Sequence, residues 1–544
     1  MTSNFATISA MGPSTHTLDL KLEARTGGGP EVETALDRAS AVPVYLQIRD
    51  RLRERILDGT LPPGSALPPE RRLAARLAVN RSTVLAAYGA LKAEGLIDAH
   101  VGRGTVVVAR PATFAADRAG GAGAPAPFAW RDLVRRGPAM REDRVLRDLL
   151  EVAERRDVIS LAVGLPPAEL LPLAELREVQ ERLLAERGSE MLLHSPTEGI
   201  APLRESLAAR AAAWGIRATP AEILVTSGSQ QGLDLIARVF LDPGDVVVVE
   251  QPSYLGALEV FRRAEARLLG VATDGEGMRT DLLEGLLARH RPKLIYTLPT
   301  FQNPSGLVMS PARRLALLEL ARRHQVPIVE DDPYRDLAYD GTPPPPLAAL
   351  DPLGRQGGTI FVSSTSKVLF PGLRVGWIAA PEEVIHRLAL AKQSADLHSG
   401  TPGQWIVDRF LREGHLDRHL ARVRPHYSAR RDAMLAALAP GAALGLRWAR
   451  PPGGFYIWCT LPPTVAAGRL LAEAAREGVC FLPGSACFAE ESATGHLRLN
   501  FTALAPAELR EGGRRLLRAL AAAHAASASR VSWDGGGAGT RPIV

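Results

Sequence analysis

Four short apolar runs, "DVVVVE" (245–250), "KLIYTL" (293–298), "PIVED" (327–331) and "TIFVSS" (359–364), alternate with segments of helical spacing such as "SPARRLALLELARRH" (310–324). Strands that are apolar throughout, without polar alternation, are covered on both faces, and this predicts a mostly parallel sheet flanked by helices in an α/β fold. Ligands of such sheets sit at the carboxyl ends of the strands. Residues just after these runs are therefore the first place to look for chemistry. With 544 residues and 46% hydrophobic content, the chain is too long for one ordinary domain and can bury a large core, so two or three folded units are expected.

Composition marks the boundaries. Residues 1–40 are rich in Gly, Ser and Thr without periodicity and read as a disordered tail, and the Gly/Ala/Pro-rich stretch around 110–127 reads as a linker. Between them lies a compact block at 41–109. A long α/β block follows at 128–525, and 526–544, ending "SWDGGGAGTRPIV", reads as a second disordered tail. Cys459, Cys480 and Cys487 are odd in number, lack metal-ligand spacing and have apolar neighbours, as expected of buried thiols in a reducing, cytoplasmic setting. Neither an export signal nor a run of eighteen apolar residues is evident, so no membrane association is expected.

Net charge is +6, and residues 41–110 hold eleven Lys/Arg against six Asp/Glu, so the basicity is concentrated near the N-terminus and suggests a polyanionic partner. Tyr45, Ile48, Leu52 and Ile56 recur at helical spacing, and a turn then leads to two helices in quick succession. Leu73 and Leu77 face inward on the first of these. The second starts near Asn80, with Val84, Tyr88 and Leu91 on one face and Arg81, Ser82 and Thr83 at its N-terminal end, where a recognition helix meets base edges. "IDAHVGRGTVVV" reads as a hairpin with a Gly-Arg-Gly tip. This block resembles the winged helix-turn-helix of GntR-type bacterial regulators over nearly its whole length. The resemblance implies a double-stranded DNA operator, contacted by Arg71, Arg81, Ser82, Thr83 and the wing residues Gly102, Arg103 and Gly104, with Arg81 the better candidate for base readout.

In the large block, "TSGSQQGLDLI" (226–236), "EQPSYLGAL" (250–258), "TLPTFQNPSG" (297–306), "VEDDPYRDL" (329–337), "SSTSKVLFPGLRVGW" (363–377), "PPGGFYIW" (451–458) and "HLRLNF" (496–501) follow in order. Together they resemble the fold-type I pyridoxal phosphate enzymes, the class I/II aminotransferases. The resemblance implies that Lys367 holds pyridoxal 5'-phosphate as an imine and carries protons. It also implies that Gly228, Ser229, Gln230, Ser364 and Arg374 bind the phosphate, and that Asp331, chosen over Asp332 by its spacing to the tyrosine, partners the pyridine nitrogen. Tyr334 and Asn303 are implied at the ring hydroxyl, Tyr254 on the ring face, and Arg498, with Asn303, at the carboxylate of a substrate or effector. His194 stands where the nearest relatives usually carry a tyrosine that reaches the neighbouring subunit's cofactor phosphate.

The order of winged helix, linker and aminotransferase-like domain resembles the MocR subfamily of bacterial regulators. That implies a homodimer that senses a small amino compound, or the cofactor itself, and alters DNA engagement. Two other readings compete: a working aminotransferase carrying a DNA-binding module, and a DNA-binding protein whose large domain only dimerises.

Overall fold

The computed structural model describes residues 42–100, 104–108, 157–490 and 495–534. The tail 1–40, the linker 110–127, the wing residues Gly102 and Arg103, residues 128–156 of the large block and residues 535–544 lie outside the described residues. The chain divides into two compact units, 1–135 and 136–544. Among the described residues no helix is long and apolar enough to cross a membrane.

The small unit has three helices, Val44–Leu57, Glu70–Leu77 and Arg81–Ala93, and an antiparallel hairpin of Ile97–His100 with Gly104–Val107. Ile48, Leu52, Leu73, Leu77, Val84, Tyr88 and Leu91 form its buried core, with Ile56 partly buried against it. Tyr45, at the start of the first stripe, is 36% exposed. Ala78, with a left-handed φ of 50°, ends the second helix, and the third begins at Arg81. The Tyr88 hydroxyl donates to the Pro68 carbonyl at 2.8 Å and ties the third helix to the turn before the second.

The large unit is built on an eight-stranded sheet, in the order 223–226, 376–379, 359–364, 328–331, 294–297, 246–251, 267–274, 277–278. The four apolar runs are buried strands of it, each paired parallel to the next, and Val246–Gln251 also pairs parallel with Arg267–Asp274. Gly376–Ala379 is antiparallel to both strands beside it, and Gly277–Met278 turns back on the sheet's edge. Separate apolar clusters occupy the two faces, as strands without polar alternation require. A smaller antiparallel sheet of Arg447–Trp448, Tyr456–Thr460, His496–Asn500 and Leu482–Pro483 packs with the long helices His415–Leu438 and Pro506–Asp534 around a third cluster. That last helix passes the boundary at 525 expected from composition. An Ala-rich run at 519–528 carries the helix past 525, and it continues to Asp534, just before the glycines at 535–537, so 526–534 is helical. The three cysteines are free and buried.

Candidate functional site

The predicted site residues gather at one end of the sheet because each follows the carboxyl end of a strand. Gly228 and Ser229 follow Ile223–Thr226, Tyr254 follows Val246–Gln251, Asn303 follows Leu294–Thr297, and Lys367 follows Thr359–Ser364. Asp331 is the last residue of its strand, with Tyr334 just beyond, and Arg374 precedes the antiparallel strand. Ser229, Gln230, Tyr254, Asn303, Asp331, Tyr334, Ser364, Lys367 and Arg374 line one cavity of about 320 Å³, and Arg498 enters it from the smaller sheet.

At the cavity's centre the Lys367 Nζ donates to the Gly164 carbonyl at 3.0 Å. Asp331 Oδ2 accepts from the Tyr296 hydroxyl at 2.8 Å, while its buried Oδ1 has no hydrogen-bond partner. Burial pushes this carboxyl up to about 7, opposed by the Tyr296 hydroxyl and the Lys367 cation. Strand pleating separates the three consecutive acids. Glu330 turns to the opposite face and accepts from the Leu347 and Ala348 N–H groups, and Asp332 lies outside the cavity wall against Arg335 at 2.8 Å.

The raised value has a consequence for stability. The folded Asp331 carboxyl holds its proton more tightly than the same group unfolded at 3.8, so its contribution is present at acid pH and lost as pH rises towards 7. Cofactor-free Asp331→Asn is therefore expected to lose less Tm than the parent between about pH 5 and pH 8. Equal losses would remove Asp331 as the source.

Beside Ser229, Gly228 has φ +85°, and a Cβ there would lie 2.5 Å from Arg374 Nη2. Arg374 also donates to the Ser227 carbonyl at 3.2 Å, so glycine is what lets the guanidinium lie against the turn. The helix Ser229–Phe240 starts here and directs its free N–H groups and dipole into the cavity. The Gln230 side chain is engaged elsewhere, donating to the Gly256 carbonyl at 2.9 Å and accepting from Tyr254 at 3.1 Å, which leaves its backbone for an anion. Ser364 Oγ accepts from the Ser366 N–H at 3.1 Å, and Ser366 also lines the cavity.

At the opposite end, Arg498 donates from Nη1 to Asn303 Oδ1 at 2.9 Å and from Nη2 to the Ala162 carbonyl at 2.8 Å, and its buried Nε has no partner. Its guanidinium lies 4.1 Å from the centroid of the Tyr456 ring. Tyr456 meets the Tyr334 hydroxyl at 3.4 Å, and although burial opposes it, the cations Arg498 and Lys367 hold this phenol below its ordinary value. Tyr456, within "PPGGFYIW", Ser366 and the segment Ala162–Leu165 also line the cavity and were not expected from the sequence. Gly164 is fitted to its place, since a Cβ on it would collide with the Tyr456 hydroxyl.

His194 lies outside this cavity. It is exposed, and its Nδ1 is 2.7 Å from His398 Nε2. In the small unit Arg71, Arg81 and Ser82 are exposed, Thr83 is half-buried, and Gly104 opens the second wing strand. Arg81 is held by Glu70 at 3.0 Å.

A buried, unpartnered carboxylate oxygen, a lysine beside it, and a glycine turn with an arginine at a helix start fit a phosphorylated pyridine aldehyde from end to end. The aminotransferase class I and II model matches residues 156–516, and the model of the gntR family of bacterial regulatory proteins matches residues 44–107. The uncharacterized HTH-type transcriptional regulator YdfD of Bacillus subtilis is 34% identical over 87% of this chain and 95% of its own length. The probable rhizopine catabolism regulatory protein MocR of Rhizobium meliloti is 30% identical over 91% of this chain and 97% of its own. Among solved structures, the α-aminoadipate aminotransferase LysN of Thermus thermophilus, complexed with N-(5'-phosphopyridoxyl)-L-leucine, superposes on 73% of this chain and all of its own with a TM-score of 0.68 and 40% identity. The cofactor of this fold is pyridoxal 5'-phosphate, which suits the donors that the cavity presents. Because relatives that combine both domains match along nearly their full length, the chain belongs to the MocR-type regulators, gntR-family helix-turn-helix proteins with a fold-type I aminotransferase domain.

Proposed function

We propose that this regulator reads an α-amino acid at the Lys367 cavity and converts its binding into altered engagement of a double-stranded DNA operator. One observation carries the reading: on a chain with a DNA-binding head, the cofactor cavity retains a buried arginine, Arg498, whose Nε has no partner in the structure. A domain kept only for dimerisation has no use for that group. When bound, the cofactor supplies an aldehyde that exchanges its lysine for an incoming amine. The protein's own residues do the rest. Asp331 keeps a positive charge on the ring nitrogen, Tyr254 covers the ring face, and Tyr334 and Asn303 stand at the ring hydroxyl. Lys367 takes or returns a proton, and Arg498 holds the carboxylate as a fork.

The exposed Leu192 and Leu193, beside His194, support a homodimer through the large unit, with paired heads on two half-sites. Arg71, Arg81, Ser82, Thr83 and the wing at Gly102, Arg103 and Gly104 are the proposed DNA contacts. Arg81 must exchange Glu70 for DNA, and an exposed pair of this kind holds it by only about 0–1 kcal/mol.

The test is a titration of the cofactor-loaded full chain with α-amino acids, followed by visible absorption and by a footprint on its own upstream DNA. Arg498→Ala is expected to keep the lysine-bound cofactor band yet lose its shift on adding amino acid, because Lys367 and the phosphate end are untouched. An unchanged titration in that variant would remove Arg498 from the carboxylate.

A further inference from the structure

The turn that carries the phosphate end of the cavity is held from behind by residues that the sequence reading did not assign. Gln231 grips it from within, its Oε1 accepting from the Ser227 N–H at 2.7 Å. Its Nε2 donates to Asp396 Oδ2 at 2.6 Å, and the Ser227 hydroxyl reaches the same oxygen at 3.2 Å. Asp396 Oδ1 accepts from Lys392 Nζ at 2.7 Å, and the Lys392 side chain is fully buried. Asp396 ends the helix Glu382–Asp396, and the next residue, Leu397, has φ 62° and ψ −56°. With the His398 N–H donating to the Asp396 carbonyl at 2.7 Å, this is a γ-turn of the rare, strained kind. The chain therefore reverses sharply at the residue whose carboxylate faces the turn.

A carboxylate behind an anion site is electrostatically unfavourable unless it is neutralised, and Lys392 is placed to do so. Ser227 then connects it to the cavity, because the Ser227 carbonyl accepts from Arg374 and the next residue is Gly228.

We propose that Asp396, neutralised by Lys392, is a positioning residue of the phosphate site: it locks the Ser227–Gln231 turn in the shape that brings Gly228, the helix N–H groups and Arg374 onto one phosphate. The proposal rests on the cofactor reading of this cavity. Asp396 acts through Gln231 and Ser227 and does not touch the cofactor. Its removal therefore selectively weakens what the phosphate contributes, while Lys367 and Asp331 keep their hold on the ring.

The experiment uses the cofactor-free full chain, titrated separately with pyridoxal 5'-phosphate and with pyridoxal, each followed by the visible band of the lysine-bound aldehyde. For Asp396→Ala the expected result is about tenfold or greater weakening for the phosphorylated form, as for loss of hydrogen bonds to a charged group, with pyridoxal changed by less than about twofold. Lys392→Met is expected to weaken the phosphorylated form at least as much, because it leaves the Asp396 charge unopposed behind the anion. Adding Asp396→Leu to Lys392→Met is expected to recover part of that loss. Equal weakening for both aldehydes, or none for either, overturns the proposal and leaves the cofactor reading intact. An unsubstituted chain that forms the band with neither aldehyde overturns both.

Discussion

Lys367→Ala is expected to abolish the visible band of lysine-bound cofactor while the protein still retains pyridoxal 5'-phosphate. Lys367 Nζ is the one amine among the described residues lining the cavity, whereas Ser229, Ser364 and Arg374 at the phosphate end stay in place. DNA binding should persist in this variant, because the small unit has its own enclosed core from Ile48 to Val107. Its response to amino acid should vanish. Measured as a mobility shift at fixed salt with and without amino acid, the parent is expected to respond and the variant to stay constant. If the parent instead forms keto acid over many turnovers per site while its DNA occupancy ignores the ligand, the aminotransferase reading replaces the sensor reading. Those two outcomes divide the regulator from an enzyme that carries a DNA-binding module.

Gly228→Ala should cost nearly as much at the opposite end of the cofactor. Its φ of 85° and ψ of 163° fall in a region that only glycine occupies readily, at a cost of order 1–3 kcal/mol for any other residue. The new Cβ would also meet Arg374 Nη2 at 2.5 Å and push the guanidinium off the turn. Neighbouring space offers no relief, because Gly376 already lies against the same backbone, its own hypothetical Cβ 2.5 Å from the Gly228 carbonyl carbon. The strain itself lowers stability with or without cofactor, whereas the displaced Arg374 weakens the hold on the phosphate, and retention of pyridoxal 5'-phosphate is expected to fall by roughly tenfold to a hundredfold, as for loss of a hydrogen bond to a charged group. Equilibrium dialysis of the refilled protein measures it. Retention within about threefold of the parent would show that the turn has another way to receive the phosphate.

The helix-turn-helix and the parallel sheet were legible because both depend on local periodicity. Val84, Tyr88 and Leu91 recur along one helix face, and "TIFVSS" is apolar throughout because both faces of its strand are covered. Asp331 was preferred to Asp332 only through the family's spacing to the tyrosine; pleating separates the two side chains, and it is the tertiary structure that puts Asp331 in the cavity wall and Asp332 outside it. The end of the last helix was misplaced because the glycine-rich residues from 535 onward, which do break a helix, coloured the reading of the segment just before them.

By itself, then, the sequence determined the order of domains, the buried strands and the identity of the residues after each strand, all of which follow from spacing within a few residues. The tertiary structure decided which distant residues meet. Arg498 reaches Asn303 across 195 positions, Asp396 reaches Ser227 across 169, and His194 pairs with His398 across 204, away from the cavity. No local pattern encodes such pairs. They arise from the sheet's strand order and the point at which each helix stops, and a strained turn at Leu397 or a bare Cα at Gly228 has a role only once its neighbours are in place.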